Sequence, residues 1–264
     1  MTVAAMETGF REAMNQVVSD IDADLEEFVE TVENRVPVYV ARPRTTTEFL
    51  MPCVLHVHGG AMLVLSEAYR TWLRRLAALG AAVVSVDFRN QPYPAGLDDC
   101  CRQMESGGGN LAGPASRPPK GLVDGCFAMC PYIFGDYANR RRSGLRSLVE
   151  YEGVLVSAAV PLVEIYGAST DDPFARPYAA TLEVLEGMCP TVVSVNELDP
   201  YRDEGVAFYR NLAKAEVRAQ CRQVMLTGHA MDLWTRIVPD VAHASLAAAI
   251  HAFSLSLREP QRAR

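Results

Sequence analysis

The sequence predicts an α/β protein in which a mostly parallel sheet carries helices on both faces. Two observations lead to this fold class. Short apolar runs of strand length alternate along the chain with stretches whose apolar residues recur at helical spacing. The chain has 264 residues, 49% of them hydrophobic and 22% charged, which suits one large α/β domain or two small ones and is ample for a hydrophobic core.

The first predicted elements are helical. Residues 8–34 place apolar side chains at steps of three and four among acidic residues, which predicts one or two helices. The apolar stripe of residues 69–79 predicts a helix that ends at Gly80. Residues 202–215 and 239–257 have helical spacing as well.

Apolar runs between these helices predict the strands of the sheet. The predicted strands are residues 36–43, 53–57, 81–88, 125–130, 191–195 and 220–226. Cys126 and Cys130 bracket one of these core strands and are interpreted as packing residues. Residues 135–180, rich in Arg, Tyr, Asp and Pro, are interpreted as an excursion above the sheet.

Composition and charge exclude several classes of function. The chain carries 25 basic and 32 acidic residues, and a surface with this excess of negative charge repels phosphate, so we expect no nucleic-acid partner. No apolar run approaches the roughly 18 residues that a membrane span needs. The first residues lack the basic start and apolar stretch of a signal peptide, so we expect a cytoplasmic protein whose seven cysteines are thiols.

A glycine pair directly follows one predicted strand, in the segment His58-Gly59-Gly60. Glycines allow a sharp bend there, and their N–H groups can point at an anion with no side chain in the way. The other interpretation is a glycine turn beside core histidines, because glycine pairs after strands are common. A metal site is set aside because no Cys-x-x-Cys pair exists; the residues that could suggest one are His56, His58, Cys100 and Cys101.

A second glycine-rich segment surrounds Ser106. Glu105 precedes the serine and small residues follow it, which suits a nucleophile elbow, the strained strand-to-helix turn that projects a serine hydroxyl. A flexible glycine loop explains the same residues. A phosphate-binding loop is the weaker alternative, because no Gly-Lys-Ser or Gly-Lys-Thr follows.

Asp199 and His229 each lie just past a predicted strand. Sites in open α/β sheets form at the edge where the strands end. A nucleophilic serine needs a base within hydrogen-bond reach, and that base needs an acid that fixes its tautomer. Ser106, Asp199 and His229, in this chain order, are therefore candidate catalytic residues.

Five segments together resemble the hormone-sensitive-lipase-like branch of the α/β-hydrolases, and within it esterases similar to brefeldin A esterase. The segments are HGGA at 58–61, DFRNQPYPAGLDDC at 87–100, ESGGGNLA at 105–112, NELDPYRDEG at 196–205 and TGHAMDL at 227–233. The resemblance runs in the same order from about residue 36 to residue 257. It implies the α/β-hydrolase fold.

The resemblance also implies a function, a serine carboxylic-ester hydrolase that acts on small or medium acyl esters without a metal or organic cofactor. It implies Ser106 as the nucleophile, His229 as its base and Asp199 as the acid that orients the base. The implied oxyanion-hole donors are the N–H groups of Gly59, Gly60 and Gly107. The implied domains are N-terminal cap helices over 1–34, a hydrolase domain over 35–258 and a tail over 259–264.

The sequence departs from the family pattern at the nucleophile. Met104 stands where the pattern has glycine, and Ser106 follows Asp87 by only 19 positions, which is too few for a crossover helix and the strand before the elbow. We therefore expect that this strand and much of the helix before it are missing, through either a deletion or a faulty gene model, and that residues 92–121 are loop-like. The alternative function is a catalytically impaired or inactive relative, either a remnant or a ligand-binding scaffold.

Overall fold

The structure is a computed structural model that describes residues 24–31, 36–44, 51–59, 69–89, 91–106, 123–169, 171–233, 240–242 and 244–249. The chain divides into two compact units, Met1–Pro118 and Pro119–Arg264. The described strands form two sheets, a four-stranded sheet in the first unit and a three-stranded sheet in the second.

The first unit is built on an antiparallel and parallel mixture of strands. Its described elements are β1 (Leu25–Thr31), β2 (Pro37–Pro43), β3 (Cys53–Val57), α1 (Arg70–Ala78), β4 (Ala82–Val86) and α2 (Ala95–Ser106). The strand order is β1-β2-β4-β3, in which β1–β2 and β2–β4 are antiparallel and β3–β4 is parallel. Helix α1 packs on this sheet and buries Leu73, Leu76 and Ala77, the residues that recur at steps of three and four on one face.

The second unit contains a wholly parallel sheet. Its described elements are β5 (Cys126–Met129), α3 (Ser147–Glu150), α4 (Val154–Tyr166), α5 (Leu182–Leu185), β6 (Thr191–Asn196), α6 (Arg202–Lys214) and β7 (Ala219–Val224). The strand order is β5-β6-β7, and both pairs are parallel. The core beside this sheet contains Val193 and Val195 of β6 with Phe208 and Leu212 of α6. Residues 240–242 and 244–249 are helical.

Residues 135–180, predicted as an excursion above the sheet, have a core of their own. Tyr137, Leu145, Leu148, Val156 and Ala159 bury one another together with Tyr201. The segment includes the 13-residue helix α4, which the sequence interpretation did not identify. Pro161 lies inside this helix, and its neighbours are apolar on most sides, so the sequence shows neither an uninterrupted helix nor a clear stripe.

The predicted fold class is confirmed. Three of the five strand pairs among the described residues are parallel, and each predicted strand overlaps an observed one. The predicted helices 69–79 and 202–215 correspond to α1 and α6. Of the predicted helix 239–257, residues 240–242 and 244–249 are helical and the others lie outside the described residues. The domain boundaries at 35–258 and 259–264 stay predictions. None of the described helices has the length and apolar character needed to cross a membrane.

The helical prediction for residues 8–34 is wrong at its C-terminal end, where β1 lies. β1 pairs along its whole length with β2, and Tyr39 donates a hydrogen bond of 2.7 Å to the Glu27 carboxylate across the pair. Phe28 and Val29 fit helical spacing, but aromatic and β-branched residues also favour strands, and a complete partner strand decides between the two. Residues 1–23 and 32–35 lie outside the described residues, so the cap helices stay a prediction there.

The loop prediction for residues 92–121 is wrong at α2, which covers Ala95–Ser106. A helix therefore occupies the positions where a nucleophile elbow needs a strand, as the lack of an apolar β-branched run before Ser106 indicated. Within the described residues, β3 pairs only with β4, and β5 pairs only with β6. Residues 107–122 lie outside the described residues.

Candidate active site

Asp199 and His229 form a hydrogen-bonded pair. The Nδ1 atom of His229 lies 2.9 Å from Oδ2 of Asp199. Asp199 is fully buried, whereas the His229 side chain keeps 26% of its surface exposed. Because an ionised carboxylate only accepts hydrogen bonds, the pair fixes the tautomer with the proton on Nδ1. Nε2 is then the nitrogen through which the ring can accept a further proton.

Asp199 lies in the turn between β6 and α6. Its Oδ1 atom accepts a hydrogen bond of 2.9 Å from the backbone N–H of Tyr201. The Arg202 N–H donates to the carbonyl of Asp199 at 3.1 Å, where α6 begins. Both carboxylate oxygens of Asp199 are therefore held by hydrogen bonds, Oδ1 by the Tyr201 N–H of the turn and Oδ2 by Nδ1 of His229.

The loop that carries His229 is tied to the end of β6 by three hydrogen bonds. Leu226 N–H donates to the Glu197 carboxylate at 2.8 Å, and Leu198 N–H donates to the Thr227 carbonyl at 2.9 Å. The Asn196 amide donates to the carbonyl of Gly228 at 2.6 Å. Leu226 and Ala230 have φ values of 58° and 55°, in the left-handed region that side chains other than glycine rarely adopt. These bonds stabilise that conformation and set the position of His229.

Aromatic residues pack behind the pair. The rings of Tyr201 and His229 meet at 85° with their centroids 5.1 Å apart. The Tyr201 hydroxyl donates to the carbonyl of Leu155 at 2.9 Å, and burial raises the pKa of this phenol. Tyr132 and Tyr137 pack against Tyr201 in turn. Tyr201 therefore contacts His229 with its ring and Asp199 with its backbone.

Glu204 is a buried carboxyl group on α6. Its Oε1 atom accepts hydrogen bonds from the Ile133 N–H at 2.9 Å and the Tyr137 hydroxyl at 3.0 Å. Burial raises the pKa of Glu204 to about 8, so the folded protein keeps this group largely protonated at neutral pH. Glu204 thereby links α6 to the segment after β5 in the same unit.

Cys130 lies at the C-terminal end of β5, and sequence reasoning assigned it only a packing role. Its φ of 45° is left-handed, and its thiol donates to the side-chain oxygen of Asn196 at 3.3 Å. Ligand atoms of Cys130, Asp199 and His229 all lie within 4.8 Å of one another. The thiol is therefore a neighbour of the Asp199–His229 pair. Its position at the end of a parallel strand was the signal available in the sequence.

The predicted oxyanion segment lies in the first unit, and Gly59 is the second residue after β3. Nδ1 of His58 lies 2.9 Å from the Gly59 carbonyl oxygen, and the His58 ring stacks on Phe88 with centroids 4.2 Å apart. Burial lowers the pKa of His58, and it lowers the pKa of His56 to about 3. Both rings are therefore neutral core histidines. Gly60 and Gly107 lie outside the described residues, so their role as N–H donors stays a prediction, as does that of Gly59.

The structure brings together two of the three predicted triad residues, Asp199 and His229. Ser106 lies in the first unit and is the last described residue of α2. The residues directly before it are helical, whereas a nucleophile elbow requires a strand there. Its role as the nucleophile stays a prediction.

Comparisons with known proteins point to one family. A family model described as alpha/beta hydrolase fold matches residues 105–233. The structure of brefeldin A esterase, described as a bacterial homologue of human hormone-sensitive lipase, is 31% identical with a TM-score of 0.83, over 97% of this chain and 85% of that one. The structure of esterase Est22 with p-nitrophenol is 31% identical with a TM-score of 0.78, over 95% of this chain and 88% of that one. Carboxylesterase NlhH of Mycobacterium tuberculosis is 25% identical over 243 residues, which cover 80% of this chain and 75% of the relative.

Proposed function

The chain belongs to the hormone-sensitive-lipase-like branch of the α/β-hydrolase family, and on this premise we propose that it is a serine hydrolase of small-molecule carboxylic esters. One observation carries the proposal. Nδ1 of a half-buried histidine lies 2.9 Å from the oxygen of a fully buried carboxylate, and both residues follow parallel strands. That arrangement orients an imidazole to act as a general base through its other nitrogen.

In the proposed reaction, His229 accepts the proton of the Ser106 hydroxyl while the serine oxygen bonds to the ester carbonyl carbon. Collapse of the tetrahedral intermediate breaks the bond to the alkoxy oxygen, which leaves as the alcohol with the proton from His229. Water then attacks the acyl-serine by the same steps and releases the acid. The N–H groups of Gly59, Gly60 and Gly107 are the proposed donors to the oxyanion. No metal or organic cofactor takes part.

Asp199 has an electrostatic role in this proposal. When His229 takes a proton, the imidazolium lies 2.9 Å from a carboxylate that is itself held by the Tyr201 N–H. A charged pair in a buried setting interacts more strongly than in water, so the carboxylate favours the protonated ring. Asp199→Asn replaces the carboxylate with a neutral amide, which removes the charge that favours the protonated ring.

A second candidate function is that of a catalytically impaired relative. Helix α2 occupies the residues before Ser106, where a nucleophile elbow requires a strand. Without that turn the serine hydroxyl lacks the strained support that aims it. The Asp199–His229 pair would then persist in a protein that binds esters without hydrolysing them.

Hydrolysis of p-nitrophenyl acetate and butyrate by the full chain separates the two candidates. For the hydrolase we expect turnover that Ser106→Ala and His229→Gln lower at least about a thousandfold. Ser157→Ala, at an exposed helical serine, is the matched control and should keep the parent rate. A folded parent chain without turnover would favour the impaired relative. Turnover that survives Ser106→Ala but not His229→Gln would assign the nucleophile to another residue.

A further inference from the structure

Three side chains at the ends of β5, β6 and β7 bring a sulfur, an oxygen and a nitrogen atom close together. Ligand atoms of Cys130, Asp199 and His229 lie within 4.8 Å of one another. We propose that these three residues bind a soft divalent cation such as Zn²⁺, and that the bound cation inhibits ester hydrolysis. The binding stands on the geometry alone, whereas the inhibition rests on the proposed function.

The donor set favours Zn²⁺ over Mg²⁺ or Ca²⁺. Thiolate and imidazole are ligands of zinc and other late transition metals, whereas Mg²⁺ and Ca²⁺ take oxygen atoms. Tetrahedral zinc with bonds of about 2.0–2.3 Å separates its donor atoms by about 3.3–3.8 Å. Donors spread over 4.8 Å reach that geometry with side-chain movements of roughly 1 Å. Water or substrate takes the fourth position.

The surroundings already orient each donor atom. The left-handed backbone of Cys130 turns the thiol toward Asn196, whose side-chain oxygen accepts its hydrogen bond at 3.3 Å. Asn196 is fixed on its amide side by the Gly228 carbonyl and, at 3.1 Å, by the Asp232 carboxylate. Partners behind the ligands reduce the entropy lost on metal binding and are a recurrent feature of metal sites.

Charge in the cluster favours a cation. Two buried carboxylates belong to the cluster or adjoin it: Asp199 is one of the ligands, and Asp232 accepts a hydrogen bond from Asn196. Their negative charge attracts a divalent ion, and the thiol releases its proton when the ion binds. His229 is the most exposed of the three ligands, with 26% of its side chain accessible, so the ion enters from its side.

Occupation removes the acid–base pair from catalysis. The carboxylate and Nδ1 now share one proton across 2.9 Å. When Nδ1 coordinates the cation, the neutral ring carries its proton on Nε2 instead, so Nε2 has no lone pair with which to accept the proton of the Ser106 hydroxyl. The metal concentration therefore determines whether His229 can act as the base.

Cobalt titration of the full chain, freed of metal with EDTA, tests the binding. Co²⁺ is a visible substitute for Zn²⁺, and we expect a thiolate-to-cobalt charge-transfer band with d–d bands of tetrahedral intensity, both removed by added Zn²⁺. Cys130→Ser should abolish the charge-transfer band, and His229→Gln should weaken Co²⁺ binding at least about tenfold. Cys221→Ser removes a thiol of the same unit outside the cluster and should keep the bands.

Two results would overturn the proposal: no charge-transfer band in the folded parent chain, or a band that survives Cys130→Ser. His229→Gln changes a partly exposed side chain, so its weaker Co²⁺ binding tests the site if Cys130→Ser does not fold. Inhibition is measured separately. Zn²⁺ should lower p-nitrophenyl ester hydrolysis and EDTA should restore it, and Zn²⁺-insensitive turnover with cobalt bands present would refute the inhibition alone. Cobalt bands in a chain without turnover would support the site and count against the proposed hydrolase.

Discussion

The ring of Tyr201 stands almost perpendicular to the imidazole of His229, with 5.1 Å between centroids, while its own N–H donates to Asp199. A single residue thus contacts both members of the acid–base pair. The backbone contact survives any substitution except one by proline, whereas the ring contact is lost with the aromatic side chain. Side chain and backbone contributions of Tyr201 can therefore be separated by mutation.

Tyr201→Phe keeps the ring and removes the hydroxyl that donates to the Leu155 carbonyl. We expect a loss of about 0.5–1.5 kcal/mol in stability and ester hydrolysis near the parent rate. Tyr201→Leu removes the ring, so His229 loses the surface that restricts its orientation. The kcat of Tyr201→Leu should fall about tenfold or more with little change in KM. Urea unfolding and steady-state kinetics measure both; an equal loss of kcat in the two variants would contradict the role of the ring.

The buried carboxyl of Glu204 predicts a pH-dependent stability. Its pKa of about 8 in the folded protein lies above the ordinary value of 4.5, so between these values the unfolded chain ionises and the folded chain does not. The unfolded state then binds fewer protons, and stability decreases as pH rises through that interval. We expect Tm of the parent chain to fall as the pH rises from 4.5 to about 8.

Glu204→Gln is the matched variant for this prediction. Gln keeps an acceptor oxygen for the Ile133 N–H and the Tyr137 hydroxyl but does not titrate. The fall in Tm should become shallower in Glu204→Gln than in the parent over the same pH range. Parallel curves for the two proteins would assign the pH dependence to other groups.

Local sequence patterns predicted most of the described strands and helices, and they placed Asp199 and His229 just past strands. The apolar runs before Asp199 and His229 identified β6 and β7, and strand ends in a parallel sheet converge at one edge. β1 was missed because its spacing fits a helix and only the partner β2 decides otherwise. Cys130 is buried, as its packing role predicted, but the contact of its thiol with Asn196 spans 66 residues of sequence and no local pattern encodes it.

Gly205 is a position where helix α6 approaches the sheet closely. A Cβ atom there would lie 2.7 Å from Cγ1 of Val195 and 3.2 Å from Cγ of Pro131. Alanine in place of glycine normally stabilises a helix by about 0.5–1 kcal/mol, whereas an extra methyl in a packed core costs about 1–3 kcal/mol. The steric overlap should outweigh the gain in helix propensity, so Gly205→Ala should lower the free energy of unfolding in urea by about 1–2 kcal/mol. Lys214→Ala, exposed on the same helix, should stay within about 0.5 kcal/mol of the parent.

The last prediction concerns the strand that α2 replaces. The edge of β3 away from β4 and the edge of β5 away from β6 have no strand partner within the described residues. An added strand brings backbone hydrogen bonds and buried apolar surface to its neighbours, and a nucleophile elbow needs a strand before the serine to aim the hydroxyl. Insertion of a helix and a strand before Glu105, as the family pattern implies, should therefore raise both Tm and ester hydrolysis.

A glycine- and serine-rich insert of equal length at the same site is the control, because it lengthens the chain without supplying a strand. It should leave hydrolysis at or below the parent rate and should not raise Tm. Ser106→Ala within the strand insertion should abolish the gain in hydrolysis while keeping the gain in Tm, since the strand stabilises the sheet independently of the hydroxyl. Strong turnover by the parent chain, unchanged by the insertion, would show that the end of α2 already supports a competent nucleophile.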